Sequence, residues 1–138
     1  MIGTQVCALL ETGGHDVRRA VRRPVRVPGE ISWDPDQGTI DHSALQDCDA
    51  VVHLAGHPIG GRFTPENKRR ILDSRRQGTA LIAQALANIA GDGKQRTLVA
   101  ASAIGYYGAQ PHAPAPTRGL PAQPLTESAP PGEDFLSQ

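Results

Sequence analysis

Ala50-Val51-Val52-His53-Leu54-Ala55-Gly56 is a nearly continuous apolar run that ends at a glycine, and Thr64-Pro65-Glu66 follows shortly after it. An apolar run without polar alternation fits a strand covered on both faces, the situation of a strand inside a parallel sheet. Thr64 has the chemistry of an N-cap, Pro65 suits the first helical position, and Glu66 places an acid in the first turn. Ile71, Gly78, Ile82, Ala85 and Ile89 then recur at three- and four-residue spacing, which predicts one buried helix face running to about Ile89. Gly91-Asp92-Gly93 ends that helix, and Thr97 to Ala101 repeats the strand signal.

Working outward, Gly3 to Leu10 reads as a helix stopped by Thr12-Gly13-Gly14, with Val6, Leu9 and Leu10 on one side. His15-Asp16-Val17 opens a strand through Val21 that ends in Arg22-Arg23-Pro24, Glu30 to Trp33 is a short strand, and Ser43 to Gln46 makes one helical turn. Residues 109–131 are rich in Pro and Ala and predict an extended loop, after which Thr126-Glu127-Ser128 and Asp134-Phe135-Leu136 read as the start of another helix. Strands alternating with helices predict an α/β fold with a doubly wound parallel sheet. Ligands in such sheets sit at the carboxyl ends of the strands. Those ends are Arg22-Arg23, Leu54-Ala55-Gly56 and the segment Ser102 to Tyr107, which are expected to converge on one edge.

With 138 residues the chain has room for one domain, and its formal net charge is zero. A balanced charge argues against a nucleic-acid partner or a membrane-surface role, both of which need a one-signed surface. Cys7 and Cys48 are far apart and read as free thiols in a reducing cytoplasm. No secretory signal is visible in the sequence, and no run approaches the roughly 20 apolar residues of a membrane span. A soluble, cytoplasmic protein is therefore expected. His53 and His57 are four apart but straddle a strand end and a glycine turn, so no metal site is expected. Pro111 and Pro114, and Pro121 and Pro124, are spaced as in ligands of SH3-type domains, but a variable loop is the expected reading.

The order of motifs carries a resemblance. Arg22-Arg23-Pro24, Ile31-Ser32-Trp33-Asp34-Pro35, Val51-Val52-His53-Leu54-Ala55-Gly56, Gly61-Arg62-Phe63-Thr64, Ile71-Leu72-Asp73-Ser74-Arg75-Arg76-Gln77-Gly78-Thr79, Ala101-Ser102-Ala103-Ile104-Gly105-Tyr106-Tyr107-Gly108 and Leu125 to Leu136 follow one another across the chain. Together they resemble the epimerase/dehydratase-like subfamily of extended short-chain dehydrogenase/reductases. The resemblance implies a Rossmann-type domain over residues 1–138, expected to be partial, with the first strand and the C-terminal part missing. Gly3 would be the third glycine of a G-x-x-G-x-x-G phosphate loop. A first strand is central in such sheets, so an isolated chain without it is expected to be marginally stable.

The resemblance also assigns roles. Arg22 and Arg23 follow the second strand of the family, where an acid would hold the 2′-hydroxyl of NAD and an arginine accommodates the 2′-phosphate of NADP. Two arginines without an acid favour NADP(H) over NAD(H); a solvated basic stretch with Arg18, Arg19 and Arg26 is the alternative. Leu54, Ala55 and Gly56 would border the cofactor, and Arg75 would reach towards it, unless it is an ordinary surface arginine. Ser102, Tyr106 and Tyr107 are the candidate catalytic residues. The family's usual Tyr-Lys acid/base pair has no match near Asp134 to Gln138, and packing under the loop is the alternative for the two tyrosines. The expected activity is hydride transfer on an unidentified small-molecule substrate. A dinucleotide-binding, sensor-like protein or an inactive fragment are the alternatives.

Overall fold

The long helix starts and stops where its caps dictate. In the computed structural model, which describes residues 2–102, 104–108 and 126–137, it runs Pro65–Ile89 (α3), with the Thr64 side chain accepting from the Asn67 amide. A short 3₁₀ turn, Ala90–Asp92, follows, and Gly93 closes it in the left-handed region at φ +76°. The other elements are α1 (Ile2–Thr12), β1 (Arg19–Val21), β2 (Glu30–Asp34), β3 (Thr39–Ile40), α2 (His42–Gln46), β4 (Ala50–His53) and β5 (Thr97–Ala100). The chain divides into two units, residues 1–101 and 102–138.

In the first unit the α/β class and the parallel pairing are present, but the strands do not form one continuous sheet. β1 pairs in parallel with β2, and β4 in parallel with β5, as two separate groups. The strand ends at Arg22 and at Leu54 therefore belong to separate strand groups, since β1 and β4 are not hydrogen-bonded neighbours. β1 is shorter than its sequence pattern: pairing begins at Arg19↔Glu30, and β2 has no residues to pair with Val17 or Arg18. The connection from β1 to β2 is the loop 22–29 and contains no helix. β3 adds antiparallel to the end of β2, with Trp33 opposite Ile40. Asp34 makes that turn by accepting the Asp36 and Gln37 amides at 3.0 and 3.2 Å, and Gly38 completes it at φ +65°.

The core of this unit is Trp33, Leu45, Ile71, Ile82 and Ala85. Gly78 of α3 seats the helix against both strand groups. A Cβ there would lie 3.2 Å from His53 Nε2 of β4 and 3.4 Å from Trp33 Cζ2 of β2. The two rings meet edge to face with centroids 5.7 Å apart. Burial disfavours the charged imidazole and lowers the His53 pKa. Trp33 Nε1 and His53 Nε2 are buried without hydrogen-bond partners among the described residues. α1 forms as expected, but it buries none of its residues, and Ile2 and Leu9 are largely exposed.

A cluster of cations closes the carboxyl end of α2. Arg18 donates to Ala44 O, Arg96 to Leu45 O and Gln46 O, and Lys94 to Asp47 O. This is the favourable sign of charge for a helix C-terminus. The Arg96 side chain is only 4% exposed and also forks onto Asp92. Arg96→Ala is expected to lower the thermal midpoint by more than about 5 °C. Arg96→Lys should recover only part of it, because an ammonium cannot reproduce the planar fork. Thermal melts followed by circular dichroism check this.

In the second unit, Ile104–Tyr107 form a 3₁₀ turn. Gly108, at φ +67°, then packs against Gly132 so closely that a Cβ on Gly132 would lie 2.5 Å from the Gly108 Cα. Ser137 Oγ donates to Gly105 O at 3.0 Å, and Asp134 accepts the Leu136 and Ser137 amides at 2.9 and 3.2 Å. The helix expected beyond Thr126 is a series of turns over the described residues 126–137. Most of the expected Pro-rich loop, residues 109–125, lies outside the described residues.

Candidate functional site

The segment after β4 is pinned to α3 residue by residue. The His57 amide donates to Ser74 Oγ at 2.9 Å, and Ser74 Oγ donates to Ile71 O. Arg75 Nη1 donates to His57 O at 3.2 Å and to Ile71 O at 3.1 Å. Its guanidinium lies flat enough on Gly56 that a Cβ there would meet Cζ at 3.2 Å. The His57 ring bonds Asn67 Oδ1 at 3.1 Å, and Asn67 Nδ2 donates to Arg62 O at 2.8 Å. Leu54, Ala55 and Gly56 are thus exposed at the end of β4, on a loop that is held from below.

Gly56 is expected beside the cofactor and Arg75 is expected to reach towards it, and in the structure the two are in contact. Asn67, Ser74 and the backbone of His57 were not singled out. The available signal was their register: Asn67, Ile71, Ser74 and Gly78 recur at four-, three- and four-residue spacing, so two polar residues continue the buried stripe of α3.

Arg22 and Arg23 follow β1, and each meets a carboxylate. Arg22 pairs with Asp36, and both side chains are more than half exposed. Arg23 places its fork on Glu30, at 2.9 Å (Nη1–Oε2) and 2.5 Å (Nη2–Oε1). Glu30 also accepts the Arg26 amide at 3.0 Å. The guanidinium and these amide donors hold its pKa down to about 2. Gly3 sits in the first turn of α1 with open space where a side chain would be.

The catalytic candidates belong to the second unit. Ser102 is exposed and lies outside regular structure, while Tyr106 and Tyr107 stack edge to face with centroids 5.2 Å apart. Tyr106 is 45% exposed. Both lysines of the chain, Lys68 and Lys94, precede these tyrosines, so neither tyrosine has a lysine four residues on. Among the described residues no group of three or more His, Cys, Asp or Glu side chains is placed to hold a metal ion. No helix among them is long and apolar enough to cross a membrane.

Residues 1–131 match the NAD dependent epimerase/dehydratase family. The chain is 38% identical over 109 residues to an epimerase family protein of Mycobacterium leprae, covering 78% of this chain and 34% of that protein. It is 34% identical over 109 residues to human epimerase family protein SDR39U1, covering 77% of this chain and 34% of the relative. It is 29% identical over 140 residues to Bacillus subtilis epimerase family protein YfhF, covering 99% of this chain and 42% of the relative. The chain therefore spans about a third of the length of the first two relatives. No solved structure matches the chain at a significant level. The pattern of parallel strands, the loop clamped behind β4 and the match over residues 1–131 agree, and the chain belongs to the NAD-dependent epimerase/dehydratase family.

Proposed function

We propose that this chain supplies the adenosine-binding side of an NADP(H)-dependent oxidoreductase or epimerase-type protein acting on a small molecule. The match of residues 1–131 to the family carries the reading. The residues present fit the adenosine half of a dinucleotide. Ala55 and Gly56 are small and exposed at a strand's carboxyl end, and Arg22 offers a guanidinium in an exposed ion pair. Arg22 supplies the positive end for a 2′-phosphate, Leu54, Ala55 and Gly56 border the adenosine, and Arg75 shapes the backbone beside it. Gly3 leaves room for a phosphate near the first turn of α1. When bound, the dinucleotide supplies a hydride donor or acceptor for a carbinol or carbonyl carbon.

Ser102 would donate a hydrogen bond to a substrate oxygen, and Tyr106 or Tyr107 would carry the proton. A second reading, a dinucleotide-binding protein without this chemistry, is favoured by the lack of a lysine four residues after either tyrosine. The two readings part on whether bound NADPH is oxidised when carbonyl compounds and sugar nucleotides are offered.

A thermal-shift titration tests the shared premise. NADPH is expected to raise the midpoint more than NADH does, and no shift with either would overturn the reading. Arg75→Ala is expected to weaken both dinucleotides equally, by about 10-fold, because Arg75 acts on the loop and not on the 2′-substituent. A loss confined to NADPH would instead place Arg75 at the 2′-phosphate.

A further inference from the structure

We infer that, of the two arginines after β1, Arg22 alone selects a 2′-phosphorylated dinucleotide, and that Asp36 is a built-in competitor for that phosphate. The inference rests on the dinucleotide-binding reading above and deepens it.

The topology separates the two arginines. β1 and β2 are parallel, in register from Arg19↔Glu30 to Val21↔Ser32, so Glu30 marks the amino end of the pair and Asp34 its carboxyl end. Arg23 belongs to the loop 22–29 that returns to the start of β2, and its fork closes on Glu30 at that amino end. The Glu30 side chain is only 8% exposed and accepts the Arg26 amide as well, and Arg23 Nη1 also donates to Pro24 O at 3.0 Å. Arg23 is therefore committed to holding the loop, on the side away from the strand ends where ligands of open α/β sheets bind.

Arg22 pairs at the opposite end. Asp36 stands in the turn just beyond Asp34, where the Asp34 carboxylate fixes it by accepting its amide at 3.0 Å. The Arg22 and Asp36 side chains are 57% and 62% exposed. An ion pair so open to water is weak and exchanges readily. A phosphate dianion takes a guanidinium through two parallel charge-assisted bonds, and can displace the carboxylate. The same carboxylate stays close by and repels the dianion. Asp36 thus lowers affinity for the 2′-phosphate while leaving a 2′-hydroxyl dinucleotide unaffected, and so sets how strongly the chain prefers one over the other.

The experiment is calorimetric titration of the chain and its Arg22→Ala, Arg23→Lys and Asp36→Asn variants with NADPH, NADH and adenosine 2′-monophosphate, each variant first checked by its thermal melt. Arg22→Ala is expected to weaken NADPH and adenosine 2′-monophosphate about 10-fold and to spare NADH. Asp36→Asn should tighten both 2′-phosphorylated ligands about 2- to 5-fold, again sparing NADH. Arg23→Lys should lower the melting point but leave the ratio of NADPH to NADH affinity unchanged. If Asp36→Asn instead weakens NADH, Asp36 is a ligand of the ribose hydroxyl and the inference falls. A change of that ratio in Arg23→Lys equal to that of Arg22→Ala also overturns it. If Arg22→Ala loses NADPH selectively and Asp36→Asn changes nothing, the competitor role falls while the binding reading stands. If the unaltered chain binds neither dinucleotide, both fall together.

Discussion

Gly78→Leu is expected to destabilise the first unit by about 3 kcal/mol, at the upper end of what overpacking a close-packed site costs. The site has no slack. A Cβ at position 78 would already lie 3.2 Å from His53 Nε2, 3.3 Å from His53 Cε1 and 3.4 Å from Trp33 Cζ2. Both rings are 6% exposed and packed against each other, so neither can swing into solvent. A leucine must push α3 off both strand groups, and with it Ile71, Ile82 and Ala85 from the same face. Gly78→Ala makes the graded comparison. Alanine gains roughly 1 kcal/mol over glycine inside a helix, and the tight contacts consume that gain, so a near-neutral result is expected. Urea unfolding followed through Trp33, the sole tryptophan, measures both variants. A Gly78→Leu chain as stable as the original would mean that α3 does not seat on Trp33 and His53 in solution.

That helix was the most legible part of the sequence because every signal for it is local. The cap at Thr64, the proline at the first position and the stripe from Ile71 to Ala85 are all recorded within a few residues of where they act, and the observed bounds Pro65–Ile89 follow them. The strands at Ala50 and Thr97 were legible for the same reason. Their grouping was not, because pairing is decided between residues far apart in sequence. β3 escaped notice because two residues carry no periodicity; the turn residues Asp34, Pro35 and Gly38 were its one available sign.

The candidate site shows the same division. Its residue types were readable at Arg22, Arg23, Leu54, Ala55, Gly56 and Arg75. The partners that decide what those residues can do were not, since Glu30 and Asp36 acquire their roles only when β2 lies beside β1. An arginine motif in sequence carries charge, but whether the charge is available depends on carboxylates that the motif does not contain. Likewise Asn67 and Ser74 look like breaks in an apolar stripe until the loop that they hold, 57–62, is folded over them.

Glu30 and Asp92 make the fold acid-sensitive, and a loss of stability between about pH 4.5 and pH 2 is the second large effect expected. Glu30 is held at about 2 by Arg23 and the Arg26 amide, below its ordinary 4.5, and Asp92 at about 2 by Arg96 and the Lys94 amide, below its ordinary 3.8. In the unfolded chain both take up protons near their ordinary values, so on acidification the unfolded state binds protons first. The stabilisation is then complete above about pH 4.5 and is lost as the pH falls through the folded values. His53 acts in the same direction at a higher pH. Burial lowers its pKa, so below about 6.5 the unfolded chain protonates first and stability begins to fall there. The stability profile should therefore decline in two stages, a shallow one beginning near neutrality and a steep one below pH 4.5. Glu30→Gln is expected to cost stability at neutral pH, where it removes the partner of Arg23, and to flatten the steep stage. Urea midpoints at about pH 7.5, 5.5 and 3.5 distinguish the two stages. An unchanged acid limb in Glu30→Gln would show that the Arg23–Glu30 clamp contributes nothing to the fold, and would remove the reason for assigning Arg23 to the loop and Arg22 to the ligand.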